Sequence, residues 1–160
     1  MNYLLDTNAC IALINGRPLG VRQRFEEASQ AAASVSTSSV VTFELWCGVA
    51  KSARPEANAD RLATFLAGPI DVIDFDDDDA QAAGQVRASL EAAGTPIGAY
   101  DILIGSQALR RGTTLVTANA DEFRRIPGLA REDWGDDTPS PASVAAQVTT
   151  PTLELAPTGD

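Results

Sequence analysis

Four short apolar or β-branched runs, separated by helical patterns, set the limits on what this chain can fold into. They are residues 2–5, 33–37, 71–75 and 113–117, with a fifth extended piece between Leu129 and Trp134. Runs this short suit buried strands rather than buried helices. Strands that alternate with helices pair in parallel, because each parallel crossover needs a connection long enough to hold a helix. The expected fold class is α/β: a single three-layer α/β/α domain around a central, mostly parallel sheet. The first run stops at Asp6. In such sheets ligands gather beyond the C-terminal ends of the strands, so Asp6 stands where chemistry is expected.

The intervening segments carry helix signals. Residues 9–15 form a short helix capped by Thr7 or Asn8 and closed by Gly16. A second helix follows Arg17-Pro18, and a third follows the serines at 38 and 39. Pro55 opens a fourth, with Leu62, Phe65 and Leu66 on one face. The acids 76–79 lead a fifth, with Ala80, Ala83, Val86 and Leu90 at helical spacing, and a sixth runs from Tyr100 to about Arg111. Beyond Gly135 the composition shifts to Pro, Thr, Ser and Ala. Residues 1–135 are therefore expected to be the folded domain and 136–160 a flexible acidic tail.

Composition narrows the chemistry. The chain has no histidine, which removes Ser-His-Asp and Cys-His schemes and most zinc hydrolase sites. Cys10 and Cys47 lack metal-ligand spacing and read as reduced core thiols. What remains is carboxylates, hydroxyls, amides and arginine, a donor set that suits hard cations such as Mg²⁺ or Mn²⁺. The net charge is −10, and without the four acids of the tail 18 acids still face 12 bases. Contact with a polyanion must therefore be local. No apolar run is long enough to span a membrane, and no secretory signal opens the chain, so a cytoplasmic location is expected.

Two carboxylates are candidates to meet Asp6. Glu44 sits among Val41, Phe43, Leu45 and Trp46, where an acid needs a cation or a strong donor. Asp101 begins a helix, where it either caps free N–H groups or lines an open face left low by Gly105 and Ala108. After the fourth strand, Asn119, Asp121 and Glu122 are all within reach of the same rim. The run 76–79 lacks the Gly and Glu of a calcium loop and reads as an acidic helix start. A phosphoacceptor or phosphatase pocket would need Asp-x-Asp where Asp6-Thr7-Asn8 stands.

Asp6-Thr7-Asn8, Glu44-Leu45 with Gly48-Val49, residues 100–104, Leu115-Val116-Thr117 and the ending through Asp133-Trp134 together resemble the PIN domain, and within it the VapC-type toxins. The resemblance covers about residues 1–134. It implies a Mg²⁺- or Mn²⁺-dependent endoribonuclease that is the toxin of a toxin–antitoxin pair, usually dimeric and inhibited by a small VapB-type antitoxin. It matches Asp6, Glu44 and Asp101 to the acidic metal positions, with Asp121 as the fourth catalytic acid where Asn119 stands at a position other members fill with Asp. Thr7, Asn8, Thr117 and Asn119 are supporting residues. Arg17, Arg110, Arg111, Arg124 and Arg125 are candidates for phosphate contacts. The alternative is a catalytically inactive PIN-like module that binds RNA or a protein.

Overall fold

A computed structural model describes residues 1–135 and 153–157. In chain order its elements are β1 (Asn2–Leu5), α1 (Thr7–Asn15), α2 (Leu19–Gln30), β2 (Ser34–Ser38), α3 (Ser39–Ala50), α4 (Pro55–Leu66), β3 (Asp71–Ile73), α5 (Asp77–Ala92), α6 (Ala99–Arg111), β4 (Thr114–Val116), α7 (Ala120–Phe123) and β5 (Arg131–Glu132). The five strands form one sheet in the order β3-β2-β1-β4-β5, and every pairing is parallel. This is the three-layer α/β/α arrangement expected from the alternation of runs.

The strand order places the site. The chain winds outward from β1 through β2 to β3, then returns to lay β4 on the other side of β1. Between β1 and β4 the winding reverses, and a crevice opens beyond the strand ends at such a switch point. Leu5 pairs with Val116, so Asp6 and Thr117 leave the sheet side by side, and the Asp6 N–H still donates to the Val116 carbonyl at 3.1 Å. The core beneath this rim is aliphatic: Leu4, Leu5, Leu115 and Val116 pack with Val41, Leu45 and Ile104.

β2 is an unusual strand, polar by sequence yet buried along most of its length. Its hydroxyls are satisfied by the neighbouring strand. Ser36 donates to the Tyr3 carbonyl at 2.9 Å, and Thr37 to the Leu5 carbonyl at 2.8 Å. Buried hydroxyls cost little when they are paired in this way.

The acidic start of α5 is a capping box: Asp76 accepts from the Asp79 N–H and Asp79 from the Asp76 N–H. Asp79 is fully buried and also accepts from Arg110 at 2.6 Å, from Arg111 at 3.0 Å and from Gln107 at 3.0 Å. Burial alone would raise its pKa. The two guanidinium groups and the other donors outweigh burial and hold it well below the usual carboxylate range. Arg110 and Arg111 are thus tied to α5 and Asp76, not to a phosphate site as the sequence allowed.

Two other expectations change. Gly105 does not leave an open face, because a Cβ there would lie 2.5 Å from Ile126 and 3.2 Å from Phe123; the glycine admits α7 and the following turn against α6. Of the tail, residues 153–157 pack on the domain with Leu153 buried, while 136–152 and 158–160 lie outside the described residues. Among the described residues no helix is long and apolar enough to cross a membrane.

Candidate active site

α1, α3 and α6 converge on the rim beyond β1 and β4, each carrying one expected acid or its support. A cavity of about 380 Å³ opens there, lined by Asp6, Thr7, Asn8, Glu44, Asp101 and Asn119, among others. Ile11, Phe123 and residues 155–157 complete the lining, and none of these was expected at the site.

Asp6 does two jobs. It caps α1, taking the place expected for Thr7 or Asn8: its Oδ1 accepts from the Ala9 N–H at 2.8 Å. It also faces the cavity while only 5% exposed. Burial pushes its pKa up to about 6, against hydrogen bonds from Thr117 and Ala9 that lower it, and Glu44 and Asp133 add repulsion. Thr117 is well placed for this role because its hydroxyl also accepts the Asn119 N–H at 2.9 Å, which fixes its direction.

Glu44 finds the strong donor its apolar neighbours demanded. The Thr7 hydroxyl, freed from capping, donates to its Oε1 at 2.9 Å. A residue at the first position of α1 therefore orients an acid on α3.

Asp101 lies in the first turn of α6 but does not cap it; the cap residue is Gly98. Its carboxyl shares a hydrogen bond with Glu122. Burial, the Glu122 charge and that hydrogen bond push Asp101 up to about 7, with smaller repulsion from Asp6 and Glu44. Glu122 is shifted the other way, below its usual value, by the Gly98 N–H at 2.8 Å together with the Asn119 amide at 2.6 Å. The proton of the pair stays on Asp101.

Of the two acids in this turn, Glu122 rather than Asp121 turns toward Asp101. In the single turn of α7 adjacent residues point roughly 100° apart. Asp121 turns to solvent with its side chain 90% exposed and pairs with Arg124 at 3.0 Å. Asn119 lines the cavity and holds Glu122 in place. Asp133, which the sequence reading did not single out as a site acid, adds to the repulsion on Asp6. Of the remaining arginines, Arg125 donates to the Pro96 carbonyl at 2.8 Å.

The donor chemistry suits a hard divalent cation. All the candidate ligands are oxygens, and burial with mutual repulsion raises two of the acids, Asp6 to about 6 and Asp101 to about 7. Among the described residues no three acidic side chains stand close enough to form a ready-made coordination sphere. Binding would draw them together and displace the protons on Asp6 and Asp101.

Comparison with known proteins agrees with this geometry. The model of the PIN domain matches residues 3–129. The chain is 40% identical over 134 residues to the tRNA(fMet)-specific endonuclease VapC of Salmonella typhimurium, covering 84% of this chain and 98% of that one. It is equally 40% identical to the ribonuclease VapC2 of Rickettsia felis, with the same coverage. Among solved structures, VapBC2 of Rickettsia felis bound to a promoter DNA fragment superposes with a TM-score of 0.78 at 39% identity, covering 84% of this chain and 99% of that one.

Proposed function

Since this chain belongs to the PIN domain family, we propose that it is a metal-dependent endoribonuclease, the toxin of a type II toxin–antitoxin pair, hydrolysing RNA phosphodiester bonds at the rim of β1 and β4. The observation that carries this reading is the meeting of Asp6, Glu44 and Asp101 around one cavity at the switch point of the sheet, with Glu122 against Asp101 beside it. The relatives named as ribonucleases support it along their whole length. The structural neighbours are toxin–antitoxin complexes, which supports a VapB-like protein as partner. The Salmonella relative's name makes initiator tRNA the first substrate to test.

Asp6, Asp101 and Glu44 would hold a Mg²⁺ or Mn²⁺ ion, which when bound supplies Lewis acidity and neutralises charge at the phosphate. The chain's own residues do the rest. Thr117 and Thr7 aim the carboxylates of Asp6 and Glu44. Asn119 and the Gly98 N–H fix Glu122 against Asp101. Asn8 lines the mouth beside them.

The test is cleavage of initiator tRNA with Mg²⁺ or Mn²⁺ and with chelator. Cleavage is expected with metal alone, and Asp101→Asn should reduce it about a hundredfold or more while the fold is kept. Full activity of that variant would remove Asp101 from the mechanism. Absence of cleavage of any RNA with either metal would leave a binding module as the better account.

A further inference from the structure

One wall of the acidic cavity does not belong to the family fold. Leu155, Ala156 and Pro157 line it opposite Asp6, Asn8 and Glu44. They lie beyond residues 3–129, and 134 residues of this chain already account for 98% of the relatives' length. The segment is short and extended, and its backbone is recognised group by group. The Asn15 amide reads Leu153 twice: Oδ1 accepts its N–H at 2.6 Å, and Nδ2 donates to its carbonyl at 3.3 Å. Asn58, itself buried, donates to the Glu154 carbonyl at 3.4 Å. The Gly48 carbonyl, near the end of α3, accepts the Ala156 N–H at 3.4 Å. Lys51 donates to the Pro157 carbonyl at 2.7 Å. Five backbone groups over five residues are thus engaged from α1, α3, α4 and the residue that caps α3.

The floor beneath the segment is shaped for it. Leu153 is 3% exposed. A Cβ on Gly48 would lie 2.9 Å from the Leu155 Cβ and 3.3 Å from the Ala156 carbonyl oxygen. A glycine inside a helix lowers helix stability relative to alanine. Here it permits the close approach of another backbone. Lys51 is the only lysine of a chain with net charge −10, and its ammonium is occupied by the segment.

We propose that residues 153–157 are an intramolecular strap: seated in the groove of α1, α3 and α4, they narrow the entrance to the acidic cavity, and RNA reaches Asp6 and Asp101 when the strap lifts. The gating half of this proposal rests on the ribonuclease reading; the docking half does not. Lifting the strap uncovers the rim and frees Lys51. Seventeen residues, 136–152, separate the strap from Gly135, whose Cβ position lies near Pro18, three residues from Asn15. The tether is thus long enough to let the strap leave and return.

The test uses full-length protein with Leu153→Asp and Leu155→Ser together, which removes the apolar anchors without adding a charge to the cavity. If the open form is on the order of a tenth of the molecules, kcat/KM for RNA cleavage rises about tenfold in this variant. Gly48→Ala, which crowds the strap from the receptor side, should act in the same direction. A labelled synthetic peptide of residues 152–160 should bind the double variant, suppress its cleavage, and bind the parent chain far less, because there the groove is filled. Peptide capture is read by fluorescence anisotropy and is independent of activity. Loss of capture would overturn the docking. Capture with unchanged or lowered cleavage in the double variant would overturn the gating, since the strap would then be neutral or part of the substrate cleft. If neither the parent nor the variant cleaves any RNA, the ribonuclease reading fails and gating with it, while capture still decides the docking.

Discussion

Asp101 and Glu122 share one proton across a carboxyl–carboxylate hydrogen bond, and Asp101 keeps it because Glu122 is held by the Gly98 N–H and the Asn119 amide. Two acids from α6 and α7 thereby form an unequal pair. Replacing Glu122 with Gln removes the repelling charge and supplies a donor. Asp101 should then titrate well below its value of about 7. The acid limb of the cleavage profile should move to lower pH by about one unit or more. Carboxyl titration by NMR checks the first statement, and pH–rate profiles with the variant check the second.

The same raised pKa values bear on stability. A carboxyl whose folded-state pKa is elevated binds more protons folded than unfolded between the two values, so stability falls as pH rises through that interval. For Asp6 this runs from 3.8 to about 6, and for Asp101 from 3.8 to about 7. Asp79 acts in the opposite sense. Its depressed pKa stabilises the fold above the ordinary carboxylate range, and this contribution is lost on acidification. Thermal melts in chelator should therefore show a maximum near pH 4 with a decline that ends at about pH 7. Asp6→Asn, which preserves the cap on α1, should flatten that decline, and Mg²⁺ or Mn²⁺ should offset it.

Asp79→Ala should be among the most damaging substitutions away from the cavity. It removes the buried carboxylate that Arg110, Arg111 and Gln107 share and leaves the two guanidinium groups with Asp76 alone between them. Losing the charged hydrogen bonds of this buried carboxylate costs roughly 1–3 kcal/mol. Urea denaturation measures it. Arg111→Ala should likewise lower stability, with little change in RNA affinity, because this arginine serves α5.

Thr117→Val separates positioning from ligation. It removes the hydroxyl that donates to Asp6 and accepts from Asn119. The expected loss is about 1–2 kcal/mol of stability, with the acid limb of the pH–rate profile displaced upward. Thr117→Ser should restore both. A variant with an unshifted profile would remove Thr117 from the support of Asp6.

The sheet was legible because short apolar runs between helical patterns leave one arrangement open, and Asp6 because it closes the first run. Glu44 and Asp101 were legible as acids in places that demand an explanation. The partner of Asp101 was not, since Asn119, Asp121 and Glu122 are all polar and only the turn of α7 decides which faces inward. Arginines 110 and 111 misled because sequence spacing shows a basic helix end but not the buried Asp79 across from it. The docking of Leu153 and Leu155 escaped notice because two leucines in a Pro- and Thr-rich tail carry no periodicity, and their receptor, Asn15 and Asn58, lies far away in the chain.

The helix α6 is fastened at both ends: Glu122 bonds to the Gly98 N–H and to Asp101 at its start, and Arg110 and Arg111 grip Asp79 at its finish. It behaves as a strut, so Asp101 cannot drift toward or away from Asp6 unless one fastening opens. Drawing the acids together around an ion therefore works against these fastenings, and part of the binding free energy goes into moving α6.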